Sequence, residues 1–363
     1  MKKLLTHPIF ITLITVVSIV ILPYILPKPK TPKLSDNELR NLALSTKMYS
    51  TPTTYKELLK LVDTKDNPLS KEKIELGKKL FFDPILSKDK TINCASCHIL
   101  QEGGDDNRAF AIGYKGRGNP FHLNSPTVLN SALFNYEFWD GRVHTVEEQA
   151  GGPIEAPFEM AMSKEEVVER LKANPNPDYV KSFKEIFGEI NFENVKKAIG
   201  AYERTLITHG AYDEFIEGNN SAINASAKRG LTLFLTKGCK GCHSGMSFGG
   251  QTIQKFPLHF YFEDYLGVVL NPNIKLKDSP YPFENKGGFL GAANTQKFKV
   301  PTLRNIDKTA PYFHNGVEKD LKEVVRIMSK YQLGDEFNKT QIDDVVEFLK
   351  TLNGKIVEYN ITQ

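Results

Sequence analysis

The 363-residue chain has no cysteine outside two five-residue segments, so no thiol remains to build a disulfide framework elsewhere. It has no block of like charges, and a formal net charge of +4 spread this evenly gives no electrostatic footprint for nucleic acid. Lys71, Lys73, Lys78 and Lys79 come nearest to a patch, and their spacing suits the solvated face of a helix. Long hydrophobic runs are absent with one exception, Ile9 to Leu26, 18 residues without a charge behind Lys2 and Lys3. As a helix rising about 1.5 Å per residue, that run covers about 27 Å, close to the thickness of a bilayer core. No small-residue cleavage site follows it, and the chain continues into Pro27-Lys28-Pro29-Lys30. The pattern predicts an uncleaved membrane anchor within residues 1–30, with everything after it exported.

All four cysteines belong to Cys94-Ala95-Ser96-Cys97-His98 and Cys239-Lys240-Gly241-Cys242-His243. In this spacing each sulfur can add to one vinyl group of a porphyrin while the next imidazole reaches the iron, so three side chains grip one planar cofactor. A zinc half-site, a thioredoxin-like pair and a structural disulfide use similar spacings, and zinc is the strongest rival. Two identical units, each followed directly by histidine and with no cysteine to spare, favour two covalently attached c-type haems with His98 and His243 as proximal ligands. Haem attachment of this kind fits a periplasmic location, and the haem propionates offset much of the formal positive charge.

The distance between the motifs suggests one haem per domain in a mainly α protein: two cytochrome c-like haem domains with long irregular loops, preceded by the N-terminal membrane segment. Residues 31–70 are polar and proline-punctuated and read as a tether, with one short helical pattern at 55–61. An N-terminal haem domain is expected over 71–210 and a C-terminal one over 211–355. In the first, Ile74, Leu80 and Phe81 mark a helix stopped at Asp83-Pro84, and Ser163 with Glu166 forms a capping box for a helix through Lys172. Phe192, Val195, Ile199, Tyr202 and Leu206 share one helical face. The glycine- and proline-punctuated stretch 103–126 reads as a long irregular loop of the kind that lines a site. In the second, helices are expected at about 222–236, 320–330 and 341–352, with no clear period over 245–300.

Function turns on the remaining position of each iron, because two protein ligands make an electron-transfer centre and an open position admits peroxide or oxygen. Met328 falls on the stripe Leu321, Val324, Val325, Met328, a spacing that suits a core methionine as well as a ligand. Met246 lies only three residues past His243, too near to reach the opposite face of the same haem.

NSPTVLN at 124–130, FWDGR at 138–142, EEQAGGPIEAPFEM at 147–160, and TAPYFHNG at 309–316 followed by Met328 occur in one order. On these segments the chain resembles the bacterial dihaem cytochrome c peroxidases from about Lys71 to Leu352. The resemblance implies a peroxidatic haem on His98 and a high-potential electron-transfer haem on His243 and Met328. It implies that Glu159 is the catalytic carboxylate, taking the peroxide proton and returning it to the leaving oxygen, while Gln149 holds peroxide or water without competing for that proton. Taken without the family, either side chain would read as a surface residue on a loop. Trp139, the only tryptophan, takes the family's place between the two haems, although its residue type suits a core aromatic equally. Asn124, with the backbone carbonyls of Thr309 and Pro311, falls on the family's calcium-ligand positions.

One position departs from the pattern. Where many members carry a histidine that caps the reactive iron in the oxidised state, this chain has Tyr114. Either the site is open, which is the expectation here, or His122 from the same loop takes the cap's place. The implied activity is reduction of hydrogen peroxide to water with electrons from a reduced cytochrome c-like donor, by a protein whose relatives suggest a homodimer. The alternatives are a dihaem electron carrier with both irons closed, and a relative oxidising a protein or small molecule, in which tyrosine stands where this chain has Met328.

Overall fold

The computed structural model describes residues 31–174, 177–259 and 281–361. The hydrophobic run at 9–26 lies outside the described residues, and among those described no helix is long and apolar enough to cross a membrane.

Each haem motif follows a helix that crosses a later helix at a glycine. Helix Lys71–Phe82 starts where Ser70 Oγ accepts the Lys73 amide and stops at Asp83, whose carboxylate then caps Ile85 after Pro84. It crosses helix Phe192–Glu203 so closely that a Cβ on Gly77 would sit 1.8 Å from the Ala198 carbonyl oxygen. Helix Ala225–Thr236, capped by Asn224, crosses helix Lys339–Lys350 in the same way, with a Cβ on Gly230 meeting the Asp344 oxygen at 1.9 Å. Only a residue without a side chain lets the backbones approach this far. The two halves therefore share a packing plan that no sequence repeat announces.

Around the first pair, Leu80, Ile154, Val167, Phe183, Val195 and Ile199 join one hydrophobic core. The capping box of Ser163 and Glu166 forms as expected and starts helix Lys164–Lys172. Around the second pair, Leu231, Phe234, Val325, Phe348 and Leu349 make another core with Phe248. Helix Leu321–Tyr331 closes this side, with Leu321 and Val325 buried.

Residues 31–70 differ from the expected tether. Helix Asp36–Ser45 buries Leu39 and Ala43 in the second core and pairs Asp36 with Lys228 at 2.9 Å. Helix Tyr55–Val62 buries Tyr55, Leu58 and Val62 beside Tyr202 and Leu206. Between them the Thr51 amide donates to Asp213 Oδ1 at 3.0 Å, and Asp213 is held by Arg304 in an ion pair with no exposed side-chain surface. The segment is polar on average, yet Leu39, Ala43, Met48, Tyr55, Leu58 and Val62 are buried, while Tyr49 and Leu61 stay exposed.

Strand content is slight. Thr208–Gly210 pairs antiparallel with Gly354–Ile356, and Ile253–Lys255 with Lys297–Lys299, the latter pair within the aperiodic stretch after the second motif. The loop 103–126 contains only isolated bridges and short turns, with no α-helix.

Candidate functional site

The two motifs fold into the same turn. At Cys94–Ser96 the amides of Cys97 and His98 donate to the Cys94 carbonyl at 3.2 and 3.0 Å, and at Cys239–Gly241 those of Cys242 and His243 donate to Cys239 at 3.2 and 3.0 Å. Each turn sets two sulfurs and an imidazole on the wall of one cavity. All four thiols are free, and burial pushes Cys97 and Cys239 up to about 12. Among the described residues no three His, Cys, Asp or Glu side chains converge on a metal position, so the zinc reading lacks its donor set. His98 Nδ1 lies 3.2 Å from the Gly104 carbonyl and His243 Nδ1 3.1 Å from that of Phe248. A carbonyl on Nδ1 fixes the ring and leaves Nε2 as the ligand atom. Turn, donors and cavities together fit haem c.

The first cavity, about 500 Å³, is lined by Cys94, Cys97, His98, Gln149, Glu159 and Glu203 among others. Gln149 comes from helix Val146–Glu155, whose first turn is capped by Thr145. Glu159 follows that helix, its amide donating to Ala156 O at 2.9 Å and its carbonyl accepting from the Tyr114 amide at 2.6 Å. A Cβ on Gly113 would lie 2.5 Å from Glu159 Cα, so the glycine is what lets the 103–126 loop lie against the carboxylate's backbone. Burial raises the Glu159 carboxyl above its ordinary range, with Arg142 pulling the other way. Phe121 and Leu123 of the loop line this cavity, but Tyr114 and His122 do not. The His122 ring packs against Phe110 at 4.6 Å instead.

Glu203 was not singled out by sequence. It sits at the end of the apolar stripe of helix Phe192–Glu203, is 4% exposed, and is held well above the carboxylate range by burial and by Glu137 and Glu147. Glu137, also on this wall, pairs with Lys299 at 3.3 Å, and Lys299 lines the other cavity. Nothing local marks either carboxylate, since both are defined by residues distant in sequence.

The second cavity, about 390 Å³, holds Cys239, Cys242, His243 and Met328 within an apolar wall that includes Leu321, Val325 and Leu349. Met328 is only half-buried because it faces this space rather than the core. Met246 lines neither cavity. Trp139 lines both, as do Asn124 and residues 125–127. Its Nε1 donates to the Asn124 carbonyl at 2.8 Å, and its own carbonyl accepts the Lys299 amide at 2.8 Å. Asn124, Thr309 and Pro311 are brought together on the second cavity's wall, where Asp105 joins them.

Comparison with known proteins bears on the same regions. The model of the di-haem cytochrome c peroxidase family matches residues 71–221, and that of cytochrome c matches 227–353. A cytochrome c551 peroxidase of Nitrosomonas europaea is 40% identical over 304 residues, covering 81% of this chain and 84% of that protein. A cytochrome c551 peroxidase of Pseudomonas aeruginosa is 37% identical, covering 81% and 82%. Among solved structures, a MauG-like protein associated with microbial copper homeostasis superposes with a TM-score of 0.66 at 25% identity, covering 87% of this chain and 97% of that one.

Proposed function

The chain belongs to the di-haem cytochrome c peroxidase family, and from that membership we propose how its residues divide the work. The reaction is the reduction of hydrogen peroxide to water with electrons from a cytochrome donor, carried out by a protein with two c-type haems. When bound, haem supplies one iron that meets peroxide and another that relays electrons.

In the first cavity His98 offers Nε2 as the proximal ligand. Glu159 takes the proton of peroxide and returns it to the oxygen that leaves, a task suited to a carboxyl whose pKa burial has raised. Gln149 orients peroxide through its amide and holds no proton that competes. Among the described residues no histidine besides His98 lines this cavity, and Met160 on its wall packs into the core beside Ile154 and Met162. This supports a site open to peroxide in the oxidised protein, with neither Tyr114 nor His122 as a cap. In the second cavity His243 and Met328 would hold the haem iron, and the thioether would raise its potential as an electron collector requires. Trp139, common to both walls, bridges them.

Around this core we place three further features. Asn124 with the carbonyls of Thr309 and Pro311 holds calcium, a hard cation suited to oxygen donors. The run at 9–26 behind Lys2 and Lys3 anchors the chain in the inner membrane, and the haem-bearing body lies in the periplasm. The haem domains correspond to 71–210 and 211–355.

The observation that carries this reading is the sorting of side chains: Glu159 and Gln149 share a cavity with His98, and Met328 shares the other with His243. Steady-state peroxide consumption with a reduced c-type cytochrome tests it. Two donor molecules are oxidised per peroxide consumed; peroxide loss without donor oxidation refutes the assignment.

A further inference from the structure

The loop 103–108 is fastened to the segment 308–311. Thr127 Oγ1 donates to Gly103 O at 2.6 Å, and a Cβ on Gly103 would meet Thr309 Cγ2 at 2.8 Å. With its amide turned to satisfy its neighbours, the Asn107 nitrogen donates to Lys308 O at 2.8 Å and Ala310 O at 2.9 Å. Asn124 Nδ2 donates to Arg108 O at 2.8 Å and Pro311 O at 3.3 Å, which leaves Oδ1 as its donor atom for a cation.

Asp105 stands in the middle of this seam. It is 1% exposed, and neither carboxylate oxygen has a hydrogen-bond partner. The charges that act on it are those of Asp106 and Glu102, both negative, and Asp106 is itself buried with one oxygen unpartnered. A buried carboxylate is ordinarily paired with a cation or coordinates one. Asp105 lines the same cavity wall as Asn124, Thr309 and Pro311, the three oxygen donors assigned above to calcium.

We propose that Asp105 is a fourth protein donor to the divalent cation held by Asn124, Thr309 and Pro311, and the only one carrying a formal charge. This rests on the calcium reading and deepens it. The other three donors are neutral oxygens, and affinity at oxygen sites rises with the number of charged ligands. A site with Asp105 retains its cation where a neutral set exchanges it, and the cation in turn neutralises the seam between the two loops.

The test uses the intact dihaem protein, depleted of metal with a chelator and titrated with calcium by calorimetry. Asp105→Asn, which preserves shape, is expected to weaken calcium binding by about tenfold or more, and Asp105→Glu to recover part of the loss. Haem content and absorption spectra establish that each variant is folded. Equal affinity in the natural protein and Asp105→Asn overturns the proposal and leaves the calcium reading standing; no binding by the natural protein removes both. Should the asparagine variant fail to fold, the calcium-induced infrared difference spectrum of the natural protein decides. A shifted carboxylate band supports the donor, and an unshifted one overturns it.

Discussion

Replacing Glu159 with glutamine isolates proton transfer from everything else that residue does. The backbone around it is fixed independently of the side chain, through the Ala156 carbonyl and the Tyr114 amide, so the cavity keeps its shape. What is lost is a group able to accept and return a proton, which is worth about 10²- to 10⁴-fold in rate, or about 3 to 5 kcal/mol of barrier. The pH profile sharpens the test. Burial raises the Glu159 pKa, so the carboxyl remains protonated to higher pH than an exposed one. The base form is the active one toward peroxide; kcat/KM therefore falls as pH drops through the raised pKa, and this acid limb is absent from the glutamine variant. Stopped-flow reaction of the natural and variant proteins with peroxide, at matched haem content and as a function of pH, measures both. A loss smaller than about tenfold, or an acid limb that survives the substitution, refutes the assignment of Glu159 as the base.

Met328→Leu keeps the apolar helix face but removes the thioether; the second haem loses its low-spin signal, its potential falls, and donor-driven turnover collapses while peroxide still reacts at the first haem. An unaltered potential by spectroelectrochemistry contradicts the ligand role. Trp139→Phe leaves the Asn124 carbonyl without its donor at a cost of about 1–3 kcal/mol by denaturant unfolding. It also slows electron transfer between the haems in flash or stopped-flow traces, and an unchanged transfer rate removes Trp139 from the relay. His122→Ala leaves the spectrum of the oxidised protein as it was, since the ring rests on Phe110 away from the cavity; loss of a six-coordinate signal would show that it caps the iron after all. Gly230→Ala destabilises despite the helix preference for alanine of about 1 kcal/mol, because the new methyl meets the Asp344 oxygen and overpacking costs about 1–3 kcal/mol or more. Urea melts that show equal or greater stability would contradict the close crossing.

What could be read in the sequence was local. The haem turns, the capping box at Ser163, the proline stop after Asp83 and the helix carrying Met328 each depend on neighbours a few residues away. The role proposed for Glu159 rests on resemblance, because a lone glutamate in PFEM says nothing of burial. Residues 31–70 misled because polarity was averaged over a segment whose Leu39, Ala43 and Leu58 find partners more than a hundred residues later. Glu203 and Asp105 escaped notice for the same reason: a carboxylate looks solvated until the fold encloses it. Gly77 and Gly230 were unremarkable in sequence, since a close crossing is a property of two helices.

Trp139 is a party wall, with an indole that belongs to two chambers at once. Neither chamber can be resized at that boundary without altering the other, so a graft of either haem site into a foreign scaffold would arrive with one side missing. Selection on the shape of either cavity acts on the same ring, and a change there is judged by both.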